Sequence, residues 1–227
     1  ATFSLFIRPG GKHQRSFYVA AGLEDVLRAL EQYRFSASDI ASLESTGMFS
    51  NDFLTCLSKL RFTGEVDAMP EGTVFFANEP ILEVTASVLE AQLLETFILN
   101  TIGFQTMIAT KAARCVLAAQ GRPLLDFSLR RTHGFDSGMK VARSSFLAGF
   151  SGTSNVLAGV KYNIPLSGTM AHSFVTAFGR EADAFAAFAH TFPNHSIFLI
   201  DTYDTLKGAQ TAVEVAGAMK RAGRKLL

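Results

Sequence analysis

The sequence predicts an α/β protein: a mixed α/β N-terminal domain over residues 1–121, then parallel βα units over residues 122–227. Three observations predict this. Before residue 121, stretches with helical apolar spacing flank a β segment broken by turns. After it, short apolar runs alternate with helical stretches at intervals of about 33 to 40 residues, the rhythm of a (β/α) barrel or a doubly wound sheet. The composition is 48% hydrophobic and 18% charged over 227 residues, that of a globular chain able to bury a substantial core.

Residues 2–8 alternate like a short strand, which Pro9, Gly10 and Gly11 end. Within residues 23–33, LEDVLRALEQY, the side chains of Leu23, Val26, Leu27, Leu30 and Tyr33 share a helical face. Ser36 and Asp39 have the spacing of a helix start. Residues 52–60 suggest a further short helix with Phe53, Leu57 and Leu60 on one side. Residues 64–86 read as a small antiparallel unit, with EVDAM, VFF and ILEVTA separated by the turns Pro70-Glu71-Gly72 and Asn78-Glu79-Pro80. Two longer helices are expected at 88–100 and 104–119, joined at Gly103, with Gly121 after the second. Met107, Ile108, Phe185 and Phe188 are assigned to the core.

The second part opens with LLDFSL (124–129), a polar cluster and a helix over 138–148. A second run, 164–167, precedes Gly168-Thr169 and a helix over 173–189. A third, 197–200, precedes a polar stretch and a helix over 205–222; residues 224–227 look like the opening of a fourth. Three units fall short of a barrel of roughly 250 residues, so either these residues are a fragment or the remaining half comes from elsewhere.

Both parallel architectures bind ligands at the carboxyl ends of their strands. Arg130, Arg131, Thr132 and His133 follow the first run; Thr169 and His172 follow the second; Asp201, Thr202, Tyr203 and Asp204 follow the third. Cations, then hydroxyl and imidazole, then carboxylates suit an anionic substrate, a metal-bound phosphate, or both. On an extended chain Arg130 and Arg131 point to opposite faces, one free to grip a carboxylate or phosphate and the other to pair within the protein; a plain surface pair is the competing reading. His172 stands where strand gives way to helix, as a base or a nucleophile toward phosphorus, or as a hydrogen-bonded structural histidine. Asp201 and Asp204 offer oxygen ligands to Mg²⁺, although Asp204 also has the position of a helix N-cap. The loop 149–155, GFSGTSN, has N–H groups to offer phosphate but lacks the GK[ST] of a P-loop. His13, His133, His190 and His195 show no metal-ligand spacing.

Other classes fall away. With 21 Lys+Arg against 20 Asp+Glu, no basic excess exists to coat a nucleic acid, and no apolar stretch is long enough to span a membrane. The opening ATFSLFIRPGGK lacks the basic start, long apolar middle and small-residue cleavage site of a secretory signal, and Cys56 and Cys115 read as reduced thiols of a cytoplasmic protein.

The segments RFTGEVDAMPEGTVFFANEPILEV, LLETFILNTIGFQTMIATKAAR, DFSLRRTHG, AGFSGTSNVLAG, IPLSGTMAHSFVTAF and LIDTYDTLKGA run in order from Phe62 to Gly208. Together with the earlier FYVAAGL, they resemble consecutive blocks of the nicotinate phosphoribosyltransferase family. The resemblance implies an α/β N-terminal domain and an irregular (β/α) barrel, of which this chain holds the first part. It implies an enzyme that joins nicotinate to phosphoribosyl pyrophosphate, coupled to ATP hydrolysis through a phosphohistidine and using Mg²⁺. A cytoplasmic homodimer with sites near the subunit interface is implied as well.

On that basis His172 is the phosphorylated histidine and Thr169 lies at the nicotinate site. Arg130, with Arg131 beside it, lies near nicotinate or phosphate; Ser154 is a substrate-binding residue; and Asp201 sits near the ribose and the metal. The family's opening segment, with a tyrosine that stacks on the pyridine ring, and everything past the third βα unit are absent here. The family usually has glycine where Ser128 stands. No turnover is expected from the isolated 227 residues. The alternatives are a sibling enzyme that uses nicotinamide or quinolinate, and a catalytically incomplete fragment acting in folding or dimerisation.

Overall fold

The structure is a computed structural model that describes residues 1–10 and 15–223; His13 and the expected fourth run lie outside the described residues. The chain forms two compact units, Ala1–Leu166 and Ser167–Leu227.

In the first unit, β1 (Thr2–Leu5), β2 (Tyr18–Val19), α1 (Leu23–Glu31), α2 (Ala37–Ser45), α3 (Asn51–Lys59), β3 (Glu65–Ala68), β4 (Val74–Phe75), β5 (Leu82–Thr85) and α4 (Val88–Ala119) follow in chain order. β5 lies between β1 and β3, antiparallel to both, with Thr85 opposite Thr2 on one side and Glu65 on the other. β2 and β4 make a separate antiparallel ribbon. The turn-broken unit expected over residues 64–86 is therefore present in part: its first and last strands, β3 and β5, pair antiparallel, while β4 pairs with β2 instead. The helix start at Ser36 is present: its hydroxyl accepts the Asp39 N–H at 3.1 Å, and Asp39 accepts the Ser36 N–H at 2.7 Å. Val26 and Leu30 of α1 pack with Phe75, Leu82 and Val84 and with Leu94, Ile98 and Ile102 of α4.

The two helices expected between residues 88 and 119 are one continuous helix of 32 residues. Gly103 does not break it: glycine within a helix costs only about 1 kcal/mol relative to alanine, less than the packing of the turns on either side returns. The helix ends instead at Gln120 and Gly121, both left-handed, with φ of 50° and 83°. A Cβ on Gly103 would have nothing within 4 Å. Gly103→Ala is therefore expected to raise stability by about 0.5–1 kcal/mol, read as a higher urea midpoint with an unchanged slope. Ile108 is half-buried, but Met107 is 53% exposed, because it sits on the face of α4 turned from both packing surfaces.

Beyond the turn come β6 (Leu125–Asp126), a 3₁₀ turn at Leu129–Arg131, α5 (Phe135–Leu147), β7 (Gly152–Thr153) and α6 (Val156–Tyr162). β6 and β7 are parallel, with Leu125 opposite Gly152 and Asp126 opposite Thr153, and Leu166 bridges Thr153 in the same sense. Of the expected parallel βα rhythm, the first run forms β6 and the second contributes only the bridge at Leu166, and two further details differ. The glycine-rich stretch 149–155, read as a loop with N–H groups to offer phosphate, contains a strand: a Cβ on Gly152 would lie 2.6 Å from the Pro165 carbonyl, so this glycine serves a close strand approach. α6, capped by Asn155, was not foreseen.

Arg143 ties α5 to the N-terminal elements. Its guanidinium forks onto Glu71 at 3.0 and 2.6 Å and also meets Glu24. Glu71 in turn accepts the N–H of Gly22 at 2.6 Å. Burial alone would lower the Arg143 pKa, but Glu71 and Glu24 more than offset this and hold it above the ordinary arginine value. The hydrogen bond from Arg143 keeps the Glu24 carboxyl below its usual 4.5. Beside this cluster, Asp25 pairs with Lys140 at 2.7 Å and accepts from Gln105 at 2.7 Å.

The second unit holds α7 (His172–Thr176), α8 (Glu181–Thr191) and α9 (Thr205–Arg221). The single helix expected over 173–189 is two, separated around Gly179, with extended Arg180 capping α8. Residues 197–200 form no strand; Phe198, Leu199 and Ile200 instead pack with Met170, Val175 and Phe185. Phe185 is fully buried and stacks on Phe198 at 4.9 Å, and Phe188 packs against the same core, as expected of both. α9 passes so close to the 197–200 segment that a Cβ on Gly208 would fall 2.0 Å from the Ile200 carbonyl oxygen.

Candidate active site

Polar residues expected to carry chemistry gather in one group in each unit. In the first, they stand where β6 and β7 end. Leu125 and Phe127 are 42% and 46% exposed while Asp126 between them is 5% exposed, so the strand turns its acidic residue inward and its apolar neighbours outward. The Asp126 carboxylate accepts the N–H and the hydroxyl of Ser128, at 3.0 and 2.6 Å, and the Thr153 hydroxyl at 2.9 Å. Ser128 then accepts the Arg131 N–H at 2.7 Å, closing the 3₁₀ turn that carries Arg130 and Arg131. The turn corrects the expectation of extended chain: successive residues there are about 120° apart, not on opposite faces. Both arginines are exposed. Arg131 lines a cavity of about 370 Å³ between α4 and α5, together with Ser128, Thr132, His133, Lys111 and Ile108. Arg130 is not among the cavity's lining residues. Ser154 follows β7, and its N–H donates to the Asp126 carbonyl at 2.8 Å.

In the second unit, His172 is the first residue of α7 and is exposed. Its Nδ1 lies 3.2 Å from the Thr202 hydroxyl, and its Nε2 lies 4.0 Å from Asp201 Oδ1. The first distance is a hydrogen bond; the second is too long for one. Thr169 is exposed, and its hydroxyl donates to the Met170 carbonyl at 3.1 Å. Asp204 caps α9, accepting the Lys207 N–H at 2.9 Å, so its capping reading holds.

The structure thus brings His172 and Asp201 together and adds Thr202. It sets Arg130 and Arg131 on a turn beside the strand that leads to Ser154. Asp126 and Thr153 did not stand out in the sequence, and Ser128 and Thr202 were noted there without a role. An acidic residue interrupting the apolar run LLDFSL was the available signal for the first.

No group of three or more His, Cys, Asp or Glu able to hold a metal occurs among the described residues. Mg²⁺ is ordinarily held by one or two carboxylates plus substrate phosphates and water, and the exposed Asp201 carboxylate beside the Thr202 hydroxyl fits that manner of binding. Among the described residues no helix is long and apolar enough to cross a membrane, and both cysteines are free.

The pattern of the nicotinate phosphoribosyltransferase (NAPRTase) N-terminal domain matches residues 1–103, and that of the NAPRTase family matches residues 123–216. The nicotinate phosphoribosyltransferase pncB2 of Mycobacterium tuberculosis is 52% identical over 227 residues, covering 99% of this chain and 48% of the relative. A nicotinate phosphoribosyltransferase of Bacillus subtilis is 44% identical over 217 residues, covering 95% of this chain and 44% of its own length. The crystal structure of human nicotinic acid phosphoribosyltransferase superposes with a TM-score of 0.84 at 31% identity, over 96% of this chain and 54% of that one. A nicotinate-nucleotide pyrophosphorylase from Pyrococcus furiosus gives 0.77 at 25% identity, over 96% and 49%. The chain spans about half the length of the curated relatives it matches.

Proposed function

Because the chain belongs to the nicotinate phosphoribosyltransferase family, we propose that the whole protein joins nicotinate to phosphoribosyl pyrophosphate, giving nicotinate mononucleotide and pyrophosphate, with ATP hydrolysis coupled through His172. The observation that carries this reading is the exposed imidazole of His172, held by Thr202 with Asp201 4.0 Å away.

In the neutral tautomer whose Nδ1–H donates to the Thr202 hydroxyl, Nε2 keeps the lone pair that phosphorus requires. The lone pair attacks the γ-phosphorus of ATP, the bond to the bridging oxygen breaks, and ADP leaves. The nearby carboxylate favours the cationic ring in which this attack results. Hydrolysis of the phosphohistidine after turnover resets the site, so ATP acts by shifting the protein between states of unequal substrate affinity. In the joining reaction the pyridine nitrogen attacks the anomeric carbon as pyrophosphate departs. Asp201 would hold Mg²⁺, which stabilises charge on the leaving pyrophosphate. Arg130 and Arg131 are assigned to nicotinate or phosphate, and Thr169 and Ser154 to substrate. A carboxylate-facing guanidinium would favour nicotinate over the neutral amide. The same reading makes residues 1–121 and 122–227 the functional domains and the protein a cytoplasmic homodimer.

The test is an assay of the whole protein with phosphoribosyl pyrophosphate, ATP and Mg²⁺, offered nicotinate, nicotinamide or quinolinate. Nicotinate is expected to be used at least tenfold better than either rival; preference for another base overturns the assignment. Separately, γ-labelled ATP is expected to leave acid-labile, base-stable label on the protein, and His172→Ala is expected to abolish it. Label that persists in the variant sinks the role given to His172.

A further inference from the structure

We propose that Asp126 is a positioning residue for the joining reaction: a buried carboxylate that fixes, from beneath, the two loops that carry Arg130 and Ser154. The inference rests on the substrate-binding roles proposed for those two residues.

Asp126 is 5% exposed, and its three hydrogen-bond donors are neutral: the Ser128 N–H and hydroxyl on one oxygen and the Thr153 hydroxyl on the other. A carboxylate taken from water with only neutral partners is a costly way to fill a strand end, since an apolar residue would fill the same space more cheaply. What this one does is join two departures from the sheet. On the β6 side it holds Ser128, which in turn accepts the Arg131 N–H at 2.7 Å and so closes the arginine turn. On the β7 side it holds the fully buried Thr153, whose oxygen accepts the Asn155 N–H at 3.0 Å. The Asp126 carbonyl accepts the intervening Ser154 N–H at 2.8 Å. One residue therefore sets the height and angle at which both loops leave adjacent parallel strands. Its side chain borders the same cavity as Ser128 and Arg131, but one carboxylate oxygen is taken by Ser128 and the other by Thr153, so it acts through those two residues.

Asparagine keeps an oxygen for Ser128 and offers an amide to Thr153, whereas alanine leaves the Ser128 N–H, the Ser128 hydroxyl and the Thr153 hydroxyl without their acceptor. The experiment compares Asp126→Ala and Asp126→Asn with the parent in the whole protein. Three readouts are needed: kcat and KM for nicotinate and for phosphoribosyl pyrophosphate, labelling of His172 by ATP alone, and amide hydrogen exchange at residues 128–132. A misplacement of about 1 Å costs on the order of 100-fold, so Asp126→Ala is expected to lower kcat/KM by about that factor. Asp126→Asn should recover to within about tenfold, and only the alanine variant should lose exchange protection at the Arg131 amide. ATP labelling should stay within twofold of the parent in both, which also reports an intact fold. Three outcomes overturn the proposal. One is an alanine variant with near-parent kcat/KM. Another is an asparagine variant no better than alanine. The third is a loss of labelling that parallels the loss of turnover, which would mark a general folding role. A parent protein that makes no nicotinate mononucleotide would instead strike the reading on which the proposal rests.

Discussion

Replacing Arg143 with alanine is expected to lower folding stability by about 2–3 kcal/mol, below the range for removing one partner of a fully buried ion pair because this one is partly buried. The Arg143 and Glu71 side chains are 14% and 15% exposed, so water replaces the lost fork only in part. Glu71 would be left with only the Gly22 N–H as a donor. Lysine cannot restore the planar two-point contact, so Arg143→Lys should recover less than half of the loss. Pairing Arg143→Met with Glu71→Gln should recover most of it, because no unpaired buried charge remains. Urea unfolding of each variant reads these values; an alanine variant within 1 kcal/mol of the parent would show that the clamp is ornamental.

The same cluster gives the stability an acid limb. Glu24 is held below its ordinary 4.5, chiefly by the hydrogen bond from Arg143. Asp25 is pushed up by burial, but hydrogen bonds from Lys140 and Gln105 and the nearby positive charge more than offset this and leave it below its ordinary 3.8. Both groups are thus depressed in the folded state. Their contribution is complete above those ordinary values and fades as pH falls through the lower folded ones. Removing Arg143 should flatten the dependence below pH 4.5, seen as a smaller drop in urea midpoint on acidification.

The second large effect is expected from Gly208→Ala. The new Cβ would stand 2.0 Å from the Ile200 carbonyl oxygen and 2.8 Å from its carbonyl carbon, and neither is a side-chain tip able to swing aside. Either α9 or the 197–200 segment must move, at about 1–3 kcal/mol or more. Asp201 and Thr202 follow directly on that segment and are the residues beside the His172 ring. A shift of about 1 Å there should reduce ATP labelling of His172 on the order of 100-fold. Gly217→Ala is the control in the same helix, since its Cβ would meet only the Arg221 side chain at 3.5 Å. It should leave labelling unchanged. Equal labelling in both variants would dissociate the α9 contact from the histidine.

Elements whose signals are local were legible in the sequence. The Ser36–Asp39 box, the Asp204 cap and the α1 stripe depend on residues a turn or two apart; the structure has the first two, and of the stripe it buries Val26 and Leu30 but leaves Leu27 exposed and Tyr33 beyond the helix. The single-sequence view failed where a distant partner decides the outcome. Gly152 looks like a flexible loop residue until Pro165 comes alongside it; residues 197–200 look like a strand until the described chain offers no neighbouring strand. Gly103 was read as a break because propensity was visible and the packing on both sides of α4 was not. At the candidate site His172 and Asp201 were foreseen, and they are neighbours. Asp126 and Thr202 were given no role, because the hydrogen bonds they make join residues far apart in the chain, which local spacing does not encode.

The unbroken α4 has a mechanical consequence. At about 1.5 Å per residue its 32 residues make a rod of roughly 48 Å. One stretch bears on the antiparallel sheet through Leu94 and Ile98, and another supports the β2 backbone, where the Thr110 hydroxyl accepts the Val19 N–H at 3.0 Å. A joint at Gly103 would have let these regions swing against each other on the timescale of loop motion. A stiff beam makes them tilt together.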